Sequence, residues 1–252
     1  MKKTVNLYKS YIQLSHAEEQ LLNAVEPLAV FSLSTIQKLL GWKHSKISNT
    51  LLSLKRKKII SAVKKDNYVV IAKIPENLFA IAIRITAPSY ISLWTALSYY
   101  GYTEQQVKTV QVISTKQYPL IIFKNQRIES VTVLPRSFFG YQKIQNFCIA
   151  EKEKLLLDCL SQIERVGGIE EYTKCLTAAW NEINQAKLLQ YLYKLNIKSL
   201  FARLGYLLEI LQLKNDHEKE FLEQLPLSFV KLEPGQKESK KYNKKWKVIT
   251  ND

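Results

Sequence analysis

Apolar residues recur at helical spacing in three short stretches near the N-terminus and in several longer ones after residue 150, with β-branched runs between them. Ser15-His16-Ala17-Glu18 places a glutamate three residues after a serine, the spacing of a capping box. Leu21, Leu22 and Val25 continue that helix as an apolar stripe, and Pro27 ends it. A second short helix is expected from Ser34, with Gln37 at its third position, Ile36, Leu39 and Leu40 facing inward, and Gly41 as its stop. A third helix is expected from His44 or Ser45 to about Lys57. Ile47, Leu51 and Leu54 share one arc of it, while Lys46, Asn49, Ser53 and Arg56 cluster opposite, with Ser45 and Ser48 nearby. Alternating apolar arms at 59–63 and 68–71 flank Lys64-Lys65-Asp66-Asn67 and predict a β-hairpin.

Helix, helix, polar-faced helix and basic hairpin is the order of a winged helix-turn-helix. Pro75-Glu76-Asn77 reads as a break after it, followed by the apolar run 78–83. Residues 88–101 predict one buried helix with a serine cap at Ser89 and a glycine stop at Gly101. Strands are expected at 107–114, 120–123, 128–134 and 143–149. From Glu151 the period turns helical: Leu155, Leu156, Cys159 and Leu160 make one helix, Gly167-Gly168 breaks it, and helices follow near 169–179, 185–195 and 198–213. The expected fold is α+β: a winged helix-turn-helix domain at 1–74, then a domain at 75–252 with a mixed sheet and a C-terminal helical bundle.

Hydrophobic residues make up 46% of the 252 and charged ones 23%, values of a globular chain rather than a disordered one. The apolar stretches are too short to span a bilayer, and the basic start runs into polar residues rather than a signal-peptide core. Cys148, Cys159 and Cys175 form no C-x-x-C pair, which suits a reducing cytoplasm. Charge changes the picture most. The net charge is +15, of which +9 falls in residues 1–75, whereas 151–230 carry −2. That asymmetry points to a polyanion bound by the N-terminal part. A helix bearing small polar and basic groups can enter a major groove, where Asn49 would pair with adenine and Lys46 or Arg56 with guanine. Lys64 and Lys65 at the hairpin tip would meet phosphates. The competing expectation is a tri-helical protein-interaction module.

Enzyme motifs are sparse. The seven glycines include no phosphate-binding G-x-x-x-x-G-K-[ST] or G-x-G-x-x-G, and His16, His44 and His217 are scattered without metal-ligand spacing. Glu153, Lys154 and Asp158 after a strand-rich region resemble a nuclease set in composition, but on a helix Glu153 and Asp158 point about 140° apart. No catalysis, cofactor or metal is expected. Arg203 and Glu209 sit in a leucine-rich helix, Arg203 expected in an ion pair or packing its stem. The tail mixes Lys237, Lys240, Lys241, Lys244, Lys245 and Lys247 with Tyr242 and Trp246. It reads equally as a nucleic-acid segment or as a basic stretch closing on an edge strand at 246–249.

Several strings arrive in a familiar order. They are Pro88-Ser89-Tyr90-Ile91-Ser92-Leu93 with Ala96-Leu97-Ser98-Tyr99-Tyr100-Gly101; Phe139-Gly140; Ala150 with Glu153-Lys154 and Leu157-Asp158; Arg203 to Glu209; and Trp246 with Asn251. Together they resemble the AbiEi-type antitoxins of type IV toxin–antitoxin systems, over nearly the whole chain. The first and fourth strings carry the resemblance; the departures are an extra Lys152 beside the Glu-Lys pair and Asn67 where the wing usually has glycine. The resemblance implies an N-terminal domain that represses its own operon through repeated half-sites in double-stranded promoter DNA. It also implies a C-terminal domain that neutralises a cognate nucleotidyltransferase-like toxin. The alternative is a plain transcriptional regulator whose C-terminal domain binds another protein.

Overall fold

The computed structural model describes residues 12–105, 107–235 and 241–250. Lys237, Lys240 and Asn251 lie outside the described residues. The chain begins with three helices, α1 (His16–Val25), α2 (Leu33–Leu40) and α3 (His44–Arg56), and a hairpin, β1 (Ile60–Lys64) with β2 (Asn67–Val70). Ser15 and Glu18 close the capping box of α1 in both directions. The second helix starts one residue before the expected cap: Ser32, not Ser34, caps α2, with Thr35 answering it. Either serine has a hydroxyl at the right spacing, and Ser32 has the extended backbone a cap needs. Leu21, Leu22, Val25, Phe31, Ile36, Ile47, Leu51, Leu54, Ile59, Ile60 and Val70 form one apolar cluster. Phe31 pairs with Tyr68 as a bridge on the hairpin.

Pro75 is not a break. It occupies the first turn of α4 (Ile74–Ile85), where its missing N–H is not needed, so the run at 78–83 is helical. The single helix expected over 88–101 is also corrected: Ser89–Ile91 is a strand, β3, and α5 (Leu93–Tyr99) begins after Ser92. Three buried positions do not separate strand from helix by period, and here the sheet decides. β3 pairs with β4 (Thr109–Ser114) on one side and with β8 (Phe147–Ala150) on the other.

The six-stranded sheet has the order β5-β6-β4-β3-β8-β7, with β5 at Ile121–Phe123, β6 at Gln126–Thr132 and β7 at Tyr141–Ile144. It is mixed: β4 runs parallel to β6 and β3 to β8, and the other pairs are antiparallel. The expected strand at 143–149 is two strands of a hairpin, β7 and β8, turning at Gln145, which has φ 50°. The turn hides in the sequence because Gln145-Asn146 carries no glycine. Helices α6 (Lys152–Ser161), α7 (Gly168–Trp180), α8 (Gln185–Leu195), α9 (Lys198–Ile210) and α10 (Glu218–Glu223) follow. α6 is buried along nearly its whole length and packs with α5, α7, α8 and α9. A three-stranded sheet closes the chain in the order β10-β11-β9, with β9 at Val230–Lys231, β10 at Lys241–Asn243 and β11 at Val248–Thr250. The strand expected at the edge is therefore central. Among the described residues no helix is long and apolar enough to cross a membrane.

Candidate nucleic-acid interface and the buried motif residues

α3 divides by burial as its sequence divides by polarity. Ile47, Thr50, Leu51 and Leu54 are buried. Ser45, Lys46, Asn49, Leu52 and Arg56 are exposed, and the helix contains no acidic residue. At 100° per residue Ser45, Asn49, Leu52 and Arg56 fall within about 60° of one another, a single stripe along the helix. Lys46 stands beside it with its ammonium 3.9 Å from the centre of the Trp42 ring. Ser48 is half-buried and hydrogen-bonds His44 Nδ1 at 3.4 Å.

Ser53 leaves the candidate set. Its Oγ donates to Glu18 Oε1 at 2.7 Å, and Lys57 Nζ donates to Glu18 Oε2 at 2.7 Å. Glu18 is 2% exposed, and a buried carboxylate needs such donors. Burial raises the pKa of Glu18, but the bonds from Lys57, the Ser15 amide and Ser53 outweigh it and hold the group below its ordinary value. The i, i+4 pair Ser53 and Lys57 on the side facing the capping glutamate was the available signal. At the hairpin tip Lys64 and Lys65 are exposed. Lys64 Nζ lies 4.9 Å from the centre of the Tyr118 ring in the β4–β5 connection, so it is directed toward the six-stranded sheet.

The residues that carried the resemblance fall into two groups, each built around buried side chains. In the first, Asp158 of α6 accepts from Tyr90 Oη at 3.1 Å and Ser92 Oγ at 2.9 Å on one oxygen, and from Lys154 on the other. Lys154 also donates to Tyr90 Oη at 3.1 Å. Lys154 is 1% exposed and Asp158 5%. Burial drives the Asp158 carboxyl upward against the pull of Lys154, and pushes the Tyr90 phenol far up. Gly140, at φ 69°, closes the group: a Cβ there would meet Lys154 Cβ at 2.9 Å. Ser89 is buried and hydrogen-bonds Thr86 Oγ1 at 2.8 Å. Tyr100 donates to the Ala150 carbonyl at 2.8 Å, while Tyr99 is half-exposed against Phe79 and Phe147. Glu153 is buried and accepts from the Asn184 amide at 3.0 Å, ahead of α8. These bonds tie β3, the start of α5 and α6 into one unit.

The second group fixes the terminal sheet. Trp246 is 1% exposed and lies over Gly205 of α9, where a Cβ would fall 2.1 Å from its ring. Its Nε1 donates to Glu209 at 2.9 Å, and Lys245 pairs with the same carboxylate. Arg203 Nε donates to the Lys231 carbonyl at 2.8 Å. The guanidinium thus fastens β9 to α9 by a backbone bond. Among the described residues no three His, Cys, Asp or Glu side chains gather as metal ligands.

Comparison with known proteins bears on the fold. The architecture is a mixed α+β class, and a crystal structure of the RV2827C protein from Mycobacterium tuberculosis shares it with a TM-score of 0.68 at 11% identity. The match covers 94% of this chain and 92% of that one. No family model matches the chain, and no curated protein matches it.

Proposed function

We propose that the chain is a DNA-binding transcriptional autorepressor and antitoxin, with residues 1–74 as a winged helix-turn-helix and 75–252 as the neutralising domain. The observation that carries the DNA half is the exposed stripe of Ser45, Asn49 and Arg56 with Lys46 beside it on an acid-free helix. Its buried face packs on α1 and α2, so the stripe is presented on a fixed scaffold. Asn49 is the side chain placed to read an adenine edge and Arg56 a guanine edge, with Lys65 on phosphate. The antitoxin half is supported by the sequence strings alone. The helices from α6 to α9 form the helical bundle of this reading, and a nucleotidyltransferase-like toxin is its partner.

Two measurements test the two halves separately. A gel shift on the protein's own promoter with Asn49→Ala should show a loss of about 1–3 kcal/mol and relaxed specificity at one position. Co-expression with the product of the neighbouring gene should restore growth that this product alone arrests. Unchanged growth arrest would remove the antitoxin role and leave a plain regulator.

A further inference from the structure

α4, the end of α5, the start of β4 and the β5–β6 turn border a cavity of about 350 Å³. Phe79 of α4 and Tyr99 of α5 stand on its wall, with ring centres 6.2 Å apart. Tyr99 is 44% exposed, whereas the next residue, Tyr100, is tied to the Ala150 carbonyl. Phe147, outside the cavity, meets both wall rings edge to face at 5.2 and 5.9 Å and holds them in place.

The polar rim comes from Lys108, Asn125 and Gln126. Lys124 and Asn125 form the two-residue turn between Phe123 and Gln126, both left-handed at φ 45° and 63°. Such a turn holds one backbone shape, so the two side-chain amides are carried on a fixed corner. Neither amide, nor the exposed Lys108 ammonium, has a side-chain partner among the described residues. No acidic residue is among the described residues that line the cavity. Lys108 also borders a neighbouring cavity, but the carboxylate there, Glu129, is engaged by Arg165 and Gln111. A larger cavity of about 510 Å³ beside α7 offers an anion less: Glu104 and Glu171 border it, and its Lys174 is paired with Glu171.

We propose that the cavity binds a nucleoside monophosphate, with the base against Phe79 and Tyr99, its edge on Asn125 and Gln126, and the phosphate on Lys108. An aromatic wall stacks on the face of any base. A carboxamide sets a donor beside an acceptor, the complement of a base edge. An ammonium without a carboxylate partner takes the phosphate. The volume lies at the low end of small-molecule sites, roughly 300–1,000 Å³, which suits one nucleotide and excludes a dinucleotide. The site lies on elements separate from α3 and does not depend on the duplex-binding reading.

The test titrates the full chain with AMP, GMP, CMP and UMP by isothermal calorimetry. Adenosine and ribose 5-phosphate serve as probes that lack the phosphate or the base. At least one nucleotide should bind, and ribose 5-phosphate should bind it at least about tenfold more weakly, having no base to stack. Tyr99→Ala should weaken nucleotide binding about tenfold, while Tyr99→Phe keeps the stacking face and binds nearly as wild type. Lys108→Ala should weaken the nucleotide about tenfold and leave adenosine unchanged, a split that loss of structure would not produce. Circular dichroism melts establish that each variant is folded. Absence of binding by all four nucleotides overturns the proposal. So does ribose 5-phosphate binding as tightly as the nucleotides, or undiminished nucleotide binding by both folded alanine variants.

Discussion

Glu18 shows how one side chain couples two elements and engages Ser53 of the second. It caps α1, accepts from Ser53 and pairs with Lys57, so α3 is clamped to α1 along the flank of its exposed stripe. Its pKa is lowered in the folded chain, so the stabilisation is fully present above the ordinary carboxylate value of about 4.3. It is lost as pH falls through the lower, folded value. Glu18→Gln should therefore cost about 1–3 kcal/mol at pH 7. In urea unfolding the gap between variant and wild type should shrink toward zero in acid. An equal gap at neutral and acid pH would mean that the charge plays no part.

At the scale of elements, the terminal sheet depends on the absence of one side chain. Gly205→Ala improves helix propensity by about 1 kcal/mol. It also places a methyl 2.1 Å from the Trp246 ring, which has no room to retreat. The clash should win, with a net loss of about 1–3 kcal/mol in chemical denaturation. A more stable Gly205→Ala would show that Trp246 is not seated on α9. The elements that the sequence expressed well are those with local signals. The capping box at Ser15, the 3.6-residue stripe of α3 and the charged hairpin turn all appear where their residues place them. β3 was illegible because three fully buried residues carry no period, and the β7–β8 turn because left-handed Gln145 looks like any polar residue. Asp158 with Tyr90 and Ser92 was also beyond reach. Their contacts span 68 and 66 positions, and no spacing rule brings such residues together.

At the scale of the molecule, two apolar clusters among the described residues meet at the hairpin. Ile60 and Val70 belong to the N-terminal one, Val63 and Val69 to the larger one with the six-stranded sheet. A fragment beginning at Ile71 keeps α4 intact and nearly all of the larger cluster. It should fold cooperatively and, under the proposed function, rescue growth from the toxin without specific promoter binding; rescue that requires residues 1–70 would contradict the proposed division of labour. The proposed promoter binding rests on the stripe of α3. Its most direct test is a promoter gel shift at fixed salt with Asn49→Ala and Arg56→Ala, alongside a Lys65→Ala control on phosphate contacts. The two helix variants should lose about 1–3 kcal/mol with relaxed base preference. The Lys65 variant should weaken all sequences alike and flatten the salt dependence. Wild-type promoter affinity in both helix variants would contradict the proposed role of the stripe.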